Sequence, residues 1–413
     1  MNNFVKPHWR TWLVGGAPRD HLLGLPVRDR DWLITGATED ELLAAGFRRV
    51  GKDFPVFLHP DSHEEYALPR SSHRHPPIPK DFPDKALWID LSARDLTINA
   101  MAQSPDGELI DPFGGRRDIE HRHLRHVSGA FEDDPARILR VARLHARYTH
   151  LGFHIAGKSM TLMRRLAPRL LDIAPERLWR EISRALTEPK PSVFFQDLRT
   201  CGALRLILPE IDALFGVPQP AKHHPEIDTG AHTLMVVDRA RALSDQPMVA
   251  FAALTHDLGK ALTPVSEWPS HHGHEGKGKP LVTALCKRLC VPGKWCKLAV
   301  NVCVHHTHCH RAFELKPKTL LKTLCALDAF RQPDKLEYFV LACQADAQGR
   351  IGFEQAPYPQ ADYCRRALAA ARGVETRPLI EAGYNGETMR RKLNRARVKA
   401  IAECTDPNRD TDV

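Results

Sequence analysis

No run of about 18 apolar residues occurs in this 413-residue chain, so no segment reads as a membrane-crossing helix. The opening stretch Met1-Asn2-Asn3-Phe4-Val5-Lys6 lacks the apolar core of a secretion signal, which argues against export. The ten cysteines follow no framework of paired spacings, and a chain this long buries enough surface without cross-links. Reduced thiols and a cytoplasmic location are therefore the expectation. Internal repeats are also missing. Nor is there an acidic excess: 59 Lys and Arg face 50 Asp and Glu, a formal net charge of +9. That balance favours a polyanionic partner such as RNA.

What is present begins with a compact motif. Trp12-Leu13-Val14 reads as a short buried strand, followed by a tight turn at Gly15-Gly16 and a helix with Pro18 in its first turn. Unpaired N–H groups at such a helix start favour an anion. Asp29-Arg30-Asp31 follows, with a second strand expected from about Arg30 to Ile34. In a strand, residues i and i+2 share a face about 6.6 Å apart. Asp29 and Asp31 would then converge on one or two Mg²⁺ beside a nucleoside triphosphate, with Gly16 and Arg19 meeting its phosphates. Asp-x-Asp alone marks many surface turns. Joined to the glycine turn, and followed by Arg94-Asp95-Leu96-Thr97-Ile98-Asn99-Ala100, it marks a site.

On these blocks, and on Asp133-Asp134-Pro135-Ala136-Arg137-Ile138-Leu139-Arg140-Val141-Ala142-Arg143, the sequence resembles the class II tRNA nucleotidyltransferases. These are the CCA-adding enzymes of the polymerase β superfamily, and the likeness is to the bacterial group that carries an HD domain. The resemblance implies an α+β protein: a polymerase-β-like α/β head, then a helical neck, an HD domain and C-terminal helices. The expected boundaries are 1–128, 129–215, 216–350 and 351–413. It implies tRNA, CTP and ATP as partners, Mg²⁺ at the head, no membrane, and a monomer or homodimer. Asp29 and Asp31 are the expected metal ligands, with Glu65 as a third carboxylate, and Arg94 as a further nucleotide contact. Arg137, Arg140, Arg143 and Arg147 recur at spacings of three and four, one helical face. By resemblance, Asp133, Asp134 and Arg137 read the base edge of the incoming nucleotide, with Arg140 and Arg143 as additional contacts. Asp133 stands where the family usually has Glu.

A second departure lies between Leu68 and Arg94. Relatives carry a longer, Gly-rich segment there, which helps switch from C to A addition. This chain has Pro69-Arg70-Ser71-Ser72-His73-Arg74-His75-Pro76-Pro77, no glycine before Arg94, and Ala93 in place of an expected Arg. Prolines stiffen a loop, so a CC-adding activity stands as an alternative.

Farther on, His232, His256-Asp257 and Asp346 have the order of an HD phosphohydrolase, and Leu254-Thr255-His256-Asp257-Leu258-Gly259-Lys260 carries its signature. A mixed imidazole and carboxylate set suits Ni²⁺, Co²⁺ or Mn²⁺. The resemblance implies 2′,3′-cyclic phosphodiesterase, 2′-nucleotidase and phosphatase activities. His271, His272, His274 and His306 are candidates for the same pocket. The run Cys303 to His310 fits no closed zinc pattern and is expected as helix.

Strands are expected near Trp12–Val14, Asp31–Thr35, Phe47–Val50, Val56–His59 and Glu64–Leu68. A hinge is expected over 120–131, helices from Asp134 onward, and a frayed tail over 405–413. Other functions compete, among them a non-enzymatic RNA-binding protein, which would have no need for two separate clusters of metal-ligand residues. A stand-alone HD phosphohydrolase with an RNA-binding head would not need Asp29 for pyrophosphate release. A poly(A) polymerase does not account for the intact HD motif. A dinucleotide oxidoreductase lacks its fuller glycine fingerprint here.

Overall fold

The computed structural model describes residues 6–27, 29–50, 56–70, 72, 74–222 and 224–404. Ser71, His73 and the tail 405–413 lie outside the described residues. The chain forms two compact units, Met1–Ile173 and Ala174–Val413. Their boundary falls inside the stretch expected as the neck.

The first unit is built on a seven-stranded sheet. Its strands are β1 (Arg10–Val14), β2 (Asp31–Thr35), β3 (Arg48–Val50), β4 (Val56–Leu58), β5 (Glu65–Ala67), β6 (Ala102–Gln103) and β7 (Leu109–Ile110). They lie in the order β3-β4-β5-β2-β1-β6-β7, and β2–β5 is parallel while the other pairings are antiparallel. The helices are α1 (Gly16–Leu22), α2 (Glu39–Ala44), α3 (Lys85–Ser92), α4 (Gly115–Glu120), α5 (Arg137–Tyr148) and α6 (Gly157–Leu166). Thr38 and Glu41 form a capping box that starts α2, and Asp84 caps α3 by accepting from the Leu87 N–H.

Alternation along β2 assigns its two faces. Leu33 packs with Trp12, Val14, Leu87 and Leu91, the α3 side. Ile34 packs with Trp9, Leu42, Phe47 and Phe57, the α2 side. Asp31, two residues before Leu33, therefore belongs to the α3 face. Burial of Ile138, Leu139, Val141, Ala142 and Leu144 turns the arginines of α5 away from its apolar side. Tyr148 docks α5 on α1: its hydroxyl donates to Asp20 at 3.0 Å, and Arg19 lies over its ring at 5.2 Å.

The expected strands are observed, but sequence reading missed β6, β7 and the two-residue pair His123–Leu124 with His154–Ile155. Two residues carry too little alternation to be seen. One correction concerns Asp29. Strand β2 begins at Asp31, so the i, i+2 argument does not cover Asp29, which lies in the irregular segment ahead of it. The reason is register: Asp31 pairs with Val14, the last residue of β1, and with Glu65, the first of β5. No strand remains beyond them for Asp29 to join.

The second unit is helical among its described residues. Helix Pro247–Thr255 is apolar all round, with Val249 to Thr255 buried, and so it forms the centre. The helices Thr229–Leu243, Gly293–His310 and Asp334–Gln348 pack on it.

Candidate functional site

At the head, Val14 leads into Gly15, whose φ of 74° is the left-handed conformation that glycine adopts without strain. A Cβ placed there would lie 3.1 Å from Arg94 Nη1 and 3.4 Å from Asp31 Oδ2. The missing side chain thus leaves room exactly where a carboxylate and a guanidinium come together. Asp31 and Glu65 are in-register neighbours on parallel strands. Their Cα atoms are separated by one inter-strand spacing, about 4.8 Å, with side chains on the same face. Both residues are exposed. Arg94 is buried and locked: Nε and Nη2 reach Asp90 Oδ2 at 2.9 and 2.8 Å.

A chain of polar contacts runs from this turn to α5. Arg19 donates to Asp20 Oδ1 at 2.8 Å and to Asn99 Oδ1 at 2.5 Å. The Asn99 amide donates to Asp95 Oδ1 at 3.0 Å, and Arg140 Nε to Asp95 Oδ2 at 2.8 Å. Burial disfavours the Asp95 carboxylate, yet Arg140 and the Asn99 amide outweigh it and hold its pKa well below the usual range. Asp95, Asp134, Arg137, Arg140 and Arg70 line one cavity of about 290 Å³. Arg137 is held there by the carbonyls of Ala93 (2.6 Å) and Ala130 (3.0 Å), and burial lowers its pKa. A pocket with two acidic and three guanidinium groups can exchange paired hydrogen bonds with a base edge.

In the second unit, His256 and Asp257 follow directly on the central helix Pro247–Thr255. His232 comes from Thr229–Leu243 and Asp346 from Asp334–Gln348. His232 Nε2 is 2.9 Å and His256 Nε2 3.5 Å from Asp346 Oδ1, and His256 Nε2 is 3.0 Å from Asp257 Oδ2. Two other groups have ligand atoms all within 4.8 Å: Asp257 with His274 and His306, and His232 with His224 and Glu226. Lys260 Nζ lies 2.6 Å from Asp257 Oδ2. Asp257, Asp346, Lys260, His224, His274 and His306 border a cavity of about 810 Å³ that also takes in His310 and Tyr358, while His232, His256 and Glu226 lie outside its lining.

Burial opposes a proton on His256, but the Asp257 and Asp346 carboxylates outweigh it and push the pKa up to about 10. His306 goes the other way: burial brings it down to about 3. Burial likewise raises Glu226, yet hydrogen bonding from His232 wins and brings it to about 2. Asp257 and Asp346 are held well below the carboxylate range by His256 against their own burial. Buried carboxylates kept charged among imidazoles are the donor set of a cation site.

The sequence matches three family models: the poly A polymerase head domain over residues 11–125, a probable RNA- and SrmB-binding site of polymerase A over 152–215, and the HD domain over 229–332. A multifunctional CCA protein of Methylococcus capsulatus is 55% identical over 400 residues, spanning 95% of this chain and 94% of that protein. The chain belongs to the multifunctional CCA protein family. Another member, from Thioalkalivibrio sulfidiphilus, is 54% identical over 401 residues, 95% of this chain and 98% of that one. Among solved structures, a CCA-adding enzyme bound to ATP matches with a TM-score of 0.65 at 16% identity, covering 97% of this chain and 89% of that one. The Thermotoga maritima CCA-adding enzyme with tRNA matches at 0.62 and 16%, covering 97% and 89%. At these identities the likeness is one of fold.

Set against the motifs of this CCA family, the structure brings Asp31, Glu65, Gly16 and Arg94 to one end of the sheet, with exposed Asp29 just ahead of β2. Arg19 is buried beneath the turn and occupied by Asp20 and Asn99, so it braces Gly16 from below. Asp134, Arg137 and Arg140 share the α5 cavity, whose lining includes neither Asp133 nor Arg143. Asp133 instead accepts from Ser72 Oγ at 2.9 Å and pairs with Arg74 at 3.3 Å.

His232, His256, Asp257 and Asp346 meet as a set. His271, His274 and His306 border their cavity, whereas His272 is exposed and outside its lining. Cys303 to His310 is helical, and no candidate metal group among the described residues contains a cysteine. Sequence reasoning missed Arg70, Asp95 and Asn99 at the head, and Glu226, Lys260, His310 and Tyr358 in the HD centre. Arg94-Asp95…Asn99 and the Lys of His256-Asp257-Leu258-Gly259-Lys260 stood inside motifs already singled out. Arg70 and His310 stood inside the runs 69–77 and 303–310 already quoted, and Glu226 and Tyr358 carry no local signal.

Proposed function

We propose that this protein extends tRNA 3′ ends with C, C and A from CTP and ATP without a nucleic-acid template. We further propose that its HD centre hydrolyses phosphate esters as a 2′,3′-cyclic phosphodiesterase, 2′-nucleotidase and phosphatase. A cytoplasmic site of action follows from that substrate. The observation that carries the reading is Asp31 and Glu65 in register beside the Gly15 turn, in the same unit as a cavity lined by Asp134, Arg137 and Arg140.

At the head, Asp31, Glu65 and Asp29 would hold Mg²⁺. Their acidic oxygens suit that ion, and bound there it would neutralise phosphate charge and activate the terminal hydroxyl. The tRNA 3′ oxygen forms a bond to the α-phosphorus, the bond to the β-phosphate oxygen breaks, and pyrophosphate leaves. Gly15 and Gly16 let the triphosphate approach the backbone, and Arg94, fixed by Asp90, offers charge beside it. The side chains of Asp134, Arg137 and Arg140 take the part of a template base.

In the HD centre, His232, His256, Asp257 and Asp346 would hold a transition metal. Both Asp257 oxygens and His256 Nε2 are buried with no hydrogen bond beyond their mutual ion pair and those with Lys260, His274, His306 and Asp346, and this charged, water-excluded set fits a cation. Such an ion supplies a hydroxide nucleophile at neutral pH. Lys260 neutralises charge at Asp257 and, lining the cavity, faces an incoming phosphate.

A CC-adding reading is favoured by one observation: Ser72, Arg74 and Pro76, in the segment after Leu68, are each held by a side-chain or backbone contact. Ser72 and Arg74 bind Asp133, Arg74 also binds Glu132, and Trp88 Nε1 donates to the Pro76 carbonyl. Sequencing the product made from tRNA lacking CCA, with CTP alone and with CTP plus ATP, decides between them. Complete CCA ends support the leading reading, and ends stopping at CC replace it with the second.

A further inference from the structure

We propose that Phe353 and Arg350, in the wall of the HD cavity, form a shelf that stacks the base of a nucleoside phosphate whose ester is cleaved beside Asp257 and Lys260. The shelf rests on the hydrolase reading of the same centre. It narrows the substrates to phosphate esters of nucleosides, the terminal nucleotide of an RNA among them.

The cavity holds about 810 Å³, and Asp257, Lys260 and Asp346 supply only part of its wall. A phosphate group alone would leave most of that volume empty, whereas a ligand with the bulk of a nucleotide suits a cavity of this size. Another stretch of wall comes from the segment that follows the helix Asp334–Gln348, through Arg350, Phe353 and Tyr358. Arg350 stands four residues beyond Asp346, so one run of chain carries both the carboxylate and the shelf.

The chemistry of that stretch suits a base. Phe353 is 38% exposed while bordering the cavity, so its ring has surface to offer an occupant. Arg350 Cζ sits over the same ring at 4.7 Å, a contact that joins a planar cation to an aromatic face. Unstacked bases pack on aromatic rings and on guanidinium planes. Every base has a π face, so such a shelf separates nucleoside esters from base-free ones without choosing among the four bases.

Hydrogen bonds set the shelf in advance. Arg350 Nε donates to the Ala347 carbonyl at 2.8 Å, and the Phe353 N–H to the Arg350 carbonyl at 3.0 Å. The Ala356 N–H donates to the Phe353 carbonyl at 2.9 Å, and Gln348 Nε2 to the Ala356 carbonyl at 2.7 Å. Gln348 is itself buried, its Oε1 accepting from Arg239 Nε at 2.9 Å. Between Arg350 and Phe353 the turn passes through Gly352, whose φ of 82° suits glycine. A segment already fixed in this way loses little freedom when a ligand docks on it.

The test gives the full chain two substrates, adenosine 2′-phosphate and glycerol 2-phosphate, the second an ester of a secondary alcohol with no base. Phe353→Ala is expected to raise KM for the nucleotide about tenfold with kcat within about twofold, and to leave both constants for glycerol 2-phosphate unchanged. Phe353→Trp is expected to keep the low KM. An equal rise for both substrates, or none for the nucleotide, overturns the shelf and leaves the hydrolase reading standing. Phe353→Trp also puts an indole on the shelf, and its emission, taken as the difference from the parent protein, should be quenched by adenosine 2′-phosphate. Unchanged emission rejects the shelf, including where Phe353→Ala fails to fold. Should the parent release phosphate from neither substrate, the hydrolase reading falls, and the quenching still decides whether a base stacks there.

Discussion

At the head, Asp29, Asp31 and Glu65 are exposed carboxylates at the end of a sheet, whereas in the HD centre His232, His256 and Asp257 are at most 1% exposed. The contrast is chemical. Mg²⁺ keeps much of its own water and borrows oxygens from substrate phosphates, so a few open carboxylates suffice. A transition metal held by imidazole needs its donors oriented in advance, and burial with outward hydrogen bonds does that. On the proposed reading, the head would wait for its substrate to complete a metal shell, whereas the HD centre would draw its ligands from its own side chains.

The largest test of this contrast is to remove one centre and read the other. Asp31→Ala is expected to cut CTP incorporation about a thousandfold or more, since several kcal/mol of transition-state stabilisation is lost, while phosphate release from a 2′-nucleotide persists. Asp257→Ala is expected to reverse the pattern, abolishing phosphate release and leaving incorporation within about twofold, because the groups reached by Asp257 all lie in the second unit. Parallel assays of labelled CTP uptake and phosphate release check both. Loss of both activities from either single change would break the comparison.

Next comes orientation. Glu226 Oε1 lies 3.0 Å from His232 Nδ1 and turns its Nε2 toward Asp346. Glu226→Ala is expected to weaken metal affinity about 10- to 100-fold without changing nucleotide addition, as read by calorimetric titration. No equivalent brace exists for Asp31 in the contacts described. Gly259→Ala should cost about 1–3 kcal/mol by overpacking against His274, read as a lower unfolding midpoint and weaker metal retention.

The last effect is pH-dependent. Without metal, His256 keeps its proton up to about 10, yet ligation requires Nε2 free. Ion binding must expel that proton, so affinity should rise about tenfold per pH unit between about pH 7 and 9. The stability sign follows from the same shift. A histidine pKa raised from 6.5 contributes fully below the unfolded value and loses that contribution as pH climbs to about 10. Metal-free protein should therefore soften from pH 7 to 10, and melting curves across that range check it.

Much of this was legible along the chain, because some motifs are local. Gly15-Gly16 and His256-Asp257 are each contiguous in the chain, Asp31 stands in a short acidic motif, and short alternating strands announce β1 to β5. The place of Asp29 was misjudged since strand ends depend on partners, and β1 and β5 stop where Asp31 begins. Asp133 drew attention by motif, but its carboxylate is taken by Ser72 and Arg74.

By sequence alone, the order of glycine turn, carboxylates, arginine helix and HD signature determined the class of chemistry, because each combines residue types at a spacing that backbone geometry makes meaningful. Only tertiary structure decided which groups meet. Glu65 reaches Asp31 through strand register, Asp95 reaches Arg140 across 45 residues, and His274 and His306 reach Asp257 through close helix packing at Gly259 and Gly278. Those encounters arise from packing between elements distant in the chain, and no local pattern encodes them.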